Sequence, residues 1–191
     1  MELADRGLLE WCVVDPGSVN LLHENDITKG SDGFIYSNPT DHIRAGLILC
    51  DQCQAHPSYA IYEPGFVRSG AALACERSSV PRPVYRFMFS DGFMFGFPPK
   101  EYALSALVSL LDETAPRADW MVSGLAVDIF DLIPLALEKG GHVRVGLEDA
   151  PFGSEKTNVQ LVEDTRSIIE RQGFELADAA EIRRSQAIER R

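Results

Sequence analysis

Five short apolar runs, each ending in polar residues with a glycine close by, constrain this chain more than any other feature. They are "LLEWCVVD" ending at Asp15, "YAIYE" at Glu63, "VYRFMFS" at Ser90, "DWMVS" at Ser123 and "HVRVGLE" at Glu148. Longer stretches with helical periodicity separate them. Short strands alternating with helices are the signature of successive βα units around a parallel sheet. The helices have readable limits. Ser37-Asn38-Pro39 offers a cap and a first-turn proline for a helix reaching about Ala55, and Pro98-Pro99 does the same for "KEYALSALVSLLDET". Asp128 opens "IFDLIPLALEKGG", with Pro134 a kink or late first turn and Gly140 a stop. "TNVQLVEDTRSIIERQG" stops at Gly173, and a charged helix from about Asp178 to Glu189 closes the chain. With 191 residues, 45% of them hydrophobic, and no convincing linker, residues 1–191 read as one domain or part of a larger one.

A formal net charge of −11 argues against a protein built to neutralise nucleic-acid phosphates or to sit on an anionic membrane. No apolar run approaches a membrane span, and the first residues, "MELADR", lack the basic start and apolar core of a signal peptide. A cytoplasmic protein without nucleic-acid or membrane partners is the expectation. Cys50-Asp51-Gln52-Cys53 has the spacing of a redox or half-zinc motif. It ends an apolar helical pattern, however, and no second ligand pair follows, so helix packing is the preferred reading. "GSEKT" at residues 153–157 lacks the glycine before lysine that phosphate loops use, and reads as the entry to a helix.

The last strand-like run carries the most chemistry. Alternation puts Val143, Val145 and Leu147 on one face and His142, Arg144, Gly146 and Glu148 on the other. In a barrel of parallel strands wrapped by helices the ionic face points inward, with Glu148 at the carboxyl end of its strand. Asp149 follows, where alternation no longer fixes direction. Two readings stay open. Arg144 and Glu148 form a structural pair, or Glu148 ligates a metal while Arg144 orients Asp149 as a base. His142, deeper along the strand, reads as an interior histidine rather than a ligand. Asp15-Pro16-Gly17-Ser18, Glu63-Pro64-Gly65, Ser90-Asp91-Gly92 and Ser123-Gly124 would ring the same mouth, either as a site or as ordinary loop-entry residues.

"GGHVRVGLEDAPFG", followed by "TNVQLVEDTRSIIERQGFELADAAEIR", resembles the carboxy-terminal part of the beta-keto acid cleavage enzymes, which include the 3-keto-5-aminohexanoate cleavage enzyme. "CVVDPGSVNL", "AIYEPGFV" and "DWMVSGL" are similar to that family's fourth, fifth and seventh barrel strands. The resemblance implies an α/β fold, a partial TIM-type (β/α) barrel of about five parallel strands with carboxy-terminal helices. It also implies a zinc-dependent exchange of a β-keto acid with acetyl-CoA, giving acetoacetate and a new acyl-CoA. By position, Glu148 would be a zinc ligand, Asp149 the base with Arg144 beside it, Ser18 a substrate-carboxylate contact, and Glu63 a pocket-wall residue.

Two departures accompany the match. The family's zinc site uses a His-x-His pair, whereas the four histidines here, His23, His42, His56 and His142, are scattered. The matched region starts at what would be the tail of the third helix, so the expectation is a single incomplete barrel lacking the first three βα units, either an incomplete sequence of a longer enzyme or a short protein that lost them. In a short protein, open sheet edges would be covered by self-association or a partner chain. The aromatic stretch "FSDGFMFGFPP" either reshapes the pocket as a lid or seals the truncated barrel. Three functions are consistent with these residues: the zinc-dependent cleavage enzyme, a catalytically silent barrel acting as a binding or assembly partner, and another metal-dependent lyase or aldolase.

Overall fold

The computed structural model describes residues 2–188. Five parallel strands form one sheet in the order β1 (Trp11–Val13), β4 (His56–Ile61), β5 (Val84–Phe89), β6 (Asp119–Gly124) and β7 (His142–Val143). Helices α3 (Thr40–Cys53), α4 (Pro64–Glu76), α5 (Glu101–Thr114) and α6 (Ile133–Glu138) occupy the crossovers, and α7 (Asn158–Arg171) and α8 (Ala179–Ile188) follow the last strand. A short first helix, α1 (Glu2–Asp5), precedes β1. This is the expected α/β architecture of a partial barrel. The expected closing helix ran to Glu189, which lies outside the described residues.

Strand parity explains the layering. Tyr59, Tyr85, Phe87, Trp120 and Val122 face the helices and are buried. Tyr59 meets Tyr85 edge-on at 5.4 Å between ring centroids, and Phe87 stacks on Trp120 at 5.3 Å. Leu47 and Cys50 of α3, Val67 and Ala71 of α4, and Leu104, Leu107 and Leu111 of α5 complete that layer. Residues of the opposite parity, among them Val13, Ser58, Val84, Arg86, Met121 and Arg144, line the inner face. Thus Val143 and Val145 pack toward the helix-side core while Arg144 lies on the inner face, as the alternation required.

Three local features differ from the sequence reading. Strand β7 is only two residues long, because the Asp149 and Ala150 amides both donate to the Gly146 carbonyl and bend the chain into a turn. Leu147 and Glu148 therefore leave the sheet and are exposed. His142 is exposed too, since β7 is the sheet's edge and its inner face has no further neighbour. Finally, residues 19–36, where no elements were expected, form an antiparallel pair of β2 (Val19–Leu21) and β3 (Phe34–Tyr36) around α2 (Glu24–Lys29). His23 caps α2, its Nδ1 accepting from the Asn25 amide, and Gly30 ends it at φ 69°.

The aromatic stretch packs as part of the core. The Met94 amide donates to the Leu22 carbonyl, and the Glu24 amide to the Gly92 carbonyl. Phe95 is 3% exposed and meets Tyr62 edge-on at 5.1 Å. Gly96 makes the fit possible: its φ is 46°, and a Cβ there would lie 2.2 Å from the Tyr62 carbonyl oxygen. At the other end of the sheet, Arg183 of α8 pairs with Glu10 at 2.6 Å and Gln186 donates to Asp119 at 2.6 Å.

Candidate active site

At the carboxyl end of β7 the turn folds two carboxylates back onto one guanidinium. Arg144 reaches Asp149 through two bonds, Nε to Oδ2 at 3.1 Å and a terminal nitrogen to Oδ1 at 2.8 Å. The same terminal nitrogen donates to Glu148 Oε2 at 2.7 Å. The two carboxylates differ in environment. Asp149 is 4% exposed, whereas the Glu148 side chain is 80% exposed. Burial pushes the Asp149 carboxyl above its usual range, outweighing the hydrogen bonds from Arg144 that pull it down. Asp149 is thus a buried, oriented carboxylate with enhanced basicity, the pattern associated with proton transfer.

The turn itself is held from α7. Asn158 Oδ1 accepts the Leu147 amide hydrogen at 2.8 Å, and Thr157 and Gln160 form a reciprocal cap on the same helix. A cavity of about 500 Å³ opens beside Asp149, between residues 127–130 and 150–156. On the inner face, a shallower cavity of about 340 Å³ is bordered by Arg144 and Arg86. Asp149 lines the first of these spaces and Arg144 the second.

Ser18 and Glu63 make hydrogen bonds of their own rather than to Arg144 or Asp149. The Ser18 hydroxyl accepts the Asn38 amide hydrogen at 2.7 Å and lines a groove between α3 and α4. Glu63 sits half-buried at the start of α4, its Oε1 accepting the Gly96 amide hydrogen at 3.1 Å. Other polar residues at the strand ends also serve loops: Ser90 Oγ donates to the Leu125 carbonyl and accepts from the Phe93 amide. Ser123 is fully buried, and its hydroxyl has no partner among the described residues.

Sequence reasoning passed over Arg86, the middle charge of "VYRFMFS". All six residues of β5 are buried, so an arginine there was itself a signal. Arg86 approaches Asp15 Oδ1 at 3.5 Å, while Asp15 accepts hydrogen bonds from the Ala60 amide and the Tyr36 hydroxyl, both at 2.7 Å.

Zinc requires several converging donors. Among the described residues no three His, Cys, Asp or Glu side chains converge. Both Asp149 oxygens and one Glu148 oxygen are held by Arg144, so these residues do not by themselves make a zinc site. The Cys50 thiol is buried at the end of α3 and pushed up to about 12, chiefly by desolvation, as expected of packing rather than redox chemistry.

A family model described as beta-keto acid cleavage enzyme matches residues 1–187. The chain belongs to that family. It is 28% identical over 164 residues to the 3-oxoadipate:acetyl-CoA acetyltransferase of Cupriavidus necator, covering 82% of this chain and 57% of the relative. It is 31% identical over 178 residues to the 3-keto-5-aminohexanoate cleavage enzyme of Fusobacterium nucleatum, covering 91% and 60%. The 3-dehydrocarnitine:acetyl-CoA trimethylamine transferase of Rhizobium meliloti is 24% identical over 189 residues, covering 96% and 58%. The chain thus spans under two thirds of the length of these relatives. Among solved structures, ObcA bound to oxaloacetate superposes with a TM-score of 0.67 at 15% identity, covering 93% of this chain and 45% of ObcA, which supports the shared fold. The described helices include none long and apolar enough to cross a membrane.

Proposed function

We propose that this family member takes part in the exchange of a β-keto acid with acetyl-CoA, giving acetoacetate and a new acyl-CoA, in the cytoplasm. The observation that carries the reading is the buried Asp149 carboxylate gripped by Arg144 at the carboxyl end of the last strand, where barrel enzymes of this kind place their chemistry. Asp149 takes a proton from the carbon between the keto and carboxylate groups. The resulting carbanion attacks the acetyl thioester and expels CoA thiolate. The thiolate then adds to the original keto carbon, and cleavage of the carbon–carbon bond leaves acetoacetate, which recovers the proton, and the new thioester. Arg144 holds Asp149 oriented throughout. Acetyl-CoA in the names of two of the three relatives supports the choice of co-substrate.

Glu148 is the carboxylate this reading assigns to zinc, through the Oε1 atom that Arg144 leaves open, with further ligands from outside the described residues. The proton-transfer role assigned to this chain rests on Arg144 and Asp149. Ser18 and Glu63 are assigned to the substrate, which would displace the Asn38 and Gly96 amides they now hold. Residues 1–191 are read as one part of a barrel, whose five described strands supply only part of its wall. A second copy or a partner chain completes its wall.

The test is an exchange assay with acetyl-CoA and a panel of β-keto acids, alongside zinc per chain by elemental mass spectrometry. Asp149→Asn should keep whatever metal is bound and stop turnover, whereas Glu148→Ala should lose the metal. Turnover surviving Asp149→Asn would overturn the assignment of the base. A second reading, a non-catalytic barrel that acts as a binding partner, is favoured by the incomplete donor set. Folded, zinc-free protein without exchange activity would support it.

A further inference from the structure

Arg86 is an arginine whose surroundings leave it incompletely satisfied. It lies on the inner face of β5 and is 8% exposed. Its buried Nε has no hydrogen-bond partner among the described residues. One terminal nitrogen makes two long contacts, 3.4 Å to the Ser58 carbonyl and 3.5 Å to Asp15 Oδ1. Both are at the outer limit of a hydrogen bond. Asp15 is better used by others, since its oxygens take the Ala60 amide and the Tyr36 hydroxyl at 2.7 Å each. Buried polar groups are almost always paired, and a guanidinium cannot discharge itself by losing its proton. Burial is the main influence opposing its charge, Arg144 adds to it, and Asp15 counters.

The space beside it has a definite character. Arg86 and Arg144 border the same inner-face cavity of about 340 Å³, with Trp11, Val13, Val84 and Met121 forming apolar wall around them. Register fixes their relation. Arg86 pairs with Met121 and Met121 with His142, so Arg144 is two residues further along, across two strand spacings. Their backbones are therefore about 11–12 Å apart, a span that a carbon chain a few atoms long can bridge between two long side chains. The Arg144 guanidinium is occupied by Asp149 and Glu148, whereas Arg86 retains an unmet donor.

We propose that Arg86 is an anion subsite on the inner face, and that the β-keto acid accepted here is dicarboxylic, its reacting end toward Arg144, the partner of Asp149, and its distal carboxylate on Arg86. This rests on the exchange reading above and names its substrate class. A distal carboxylate supplies the acceptor that Nε lacks and offsets the desolvation of the guanidinium, while the apolar wall holds the methylenes between. A monocarboxylic keto acid would leave Arg86 as it is.

The test uses stable probes that need neither metal nor turnover. Glutarate and pentanoate have the same chain length and differ by one carboxylate, and their affinities for the full chain are measured by calorimetric titration. Glutarate should bind at least about ten-fold more tightly, the lower end expected of a charge-assisted pair. Arg86→Met should abolish that preference, and Arg86→Lys should retain part of it. Should Arg86→Met fail to fold, the wild-type protein suffices: the Arg86 Nε–H resonance, assigned with Arg86→Lys, should move on adding glutarate and stay put with pentanoate. Equal affinities, no glutarate binding, a preference unchanged in Arg86→Met, or an unmoved resonance would overturn the subsite. Glutarate preference in a protein without exchange activity would leave the subsite standing and sink the catalytic reading instead.

Discussion

Removing the guanidinium from Arg144 is the sharpest physical perturbation available at the candidate site. In Arg144→Met the Asp149 carboxylate, 5% exposed as a side chain, loses both of its bonds at 3.1 and 2.8 Å and keeps its burial. Stranding one member of a buried ion pair costs about 3–5 kcal/mol, and the 24% exposure of Arg144 puts this case near 3 kcal/mol. Asp149→Asn in the same background removes the stranded charge and should recover part of the loss, giving a coupling energy of at least about 1.5 kcal/mol in a double-mutant cycle. The pH dependence has a definite sign. Burial already raises the folded carboxyl above its unfolded value, and loss of Arg144 raises it further. The folded state then binds the proton more tightly, so stability falls as pH rises from the unfolded toward the folded pKa and returns as pH falls. Urea unfolding of metal-free protein at about pH 5 and about pH 7 measures both effects, with Arg144→Met less stable at the higher value relative to wild type. Additive losses, or a loss identical at both pH values, would show that Arg144 does not compensate a buried charge.

Gly141→Ala should destabilise by about 1–3 kcal/mol, because the new Cβ would lie 2.3 Å from the Trp120 ring; unchanged urea unfolding would mean that the ring can move aside. In native protein at about pH 8 a disulfide reagent should modify exposed Cys75 quickly and Cys50, buried with its thiol near 12, only after denaturation; rapid labelling of Cys50 would contradict its packing role. Phe95→Ala should cost about 3–5 kcal/mol, since the ring is 3% exposed in the core, and a near-neutral result would return the aromatic stretch to the status of a mobile lid.

What could be read in advance divides by whether local pattern decides the geometry. "YAIYE", "VYRFMFS" and "DWMVS" became β4, β5 and β6 because a continuous or alternating apolar run between turn residues has few other uses. "HVRVGLE" continues to alternate in sequence after the strand has ended. Its termination depends on the Gly146 carbonyl accepting two amides and on Asn158 holding Leu147, neither of which periodicity records. The same gap separates the expected inward Glu148 from the exposed one. Strands β2 and β3 were missed because three-residue segments flanking a helix carry almost no periodic signal, and only the pairing of Val19 with Tyr36 and Leu21 with Phe34 defines them. The packing of residues 89–99 was likewise nonlocal, set by contacts with Leu22 and Tyr62.

This division also bears on how much of a site one part of a barrel can hold. The Arg144–Asp149 contact spans five residues and needs only the end of one strand, a turn on Gly146 and a brace from α7. Its geometry is local, so it forms on this chain as it would within a larger barrel. A metal site is different in kind, because its ligands must converge from several strands, and here Glu148 is exposed and no three donors converge among the described residues. Substrate walls share that requirement. Arg86 belongs to the first class by position and to the second by state: β5 alone fixes its backbone, whereas its Nε has no acceptor among the described residues. The two arginines therefore separate the questions. Arg144 asks whether a base is poised on this chain, and Arg86 asks what the chain is poised to hold.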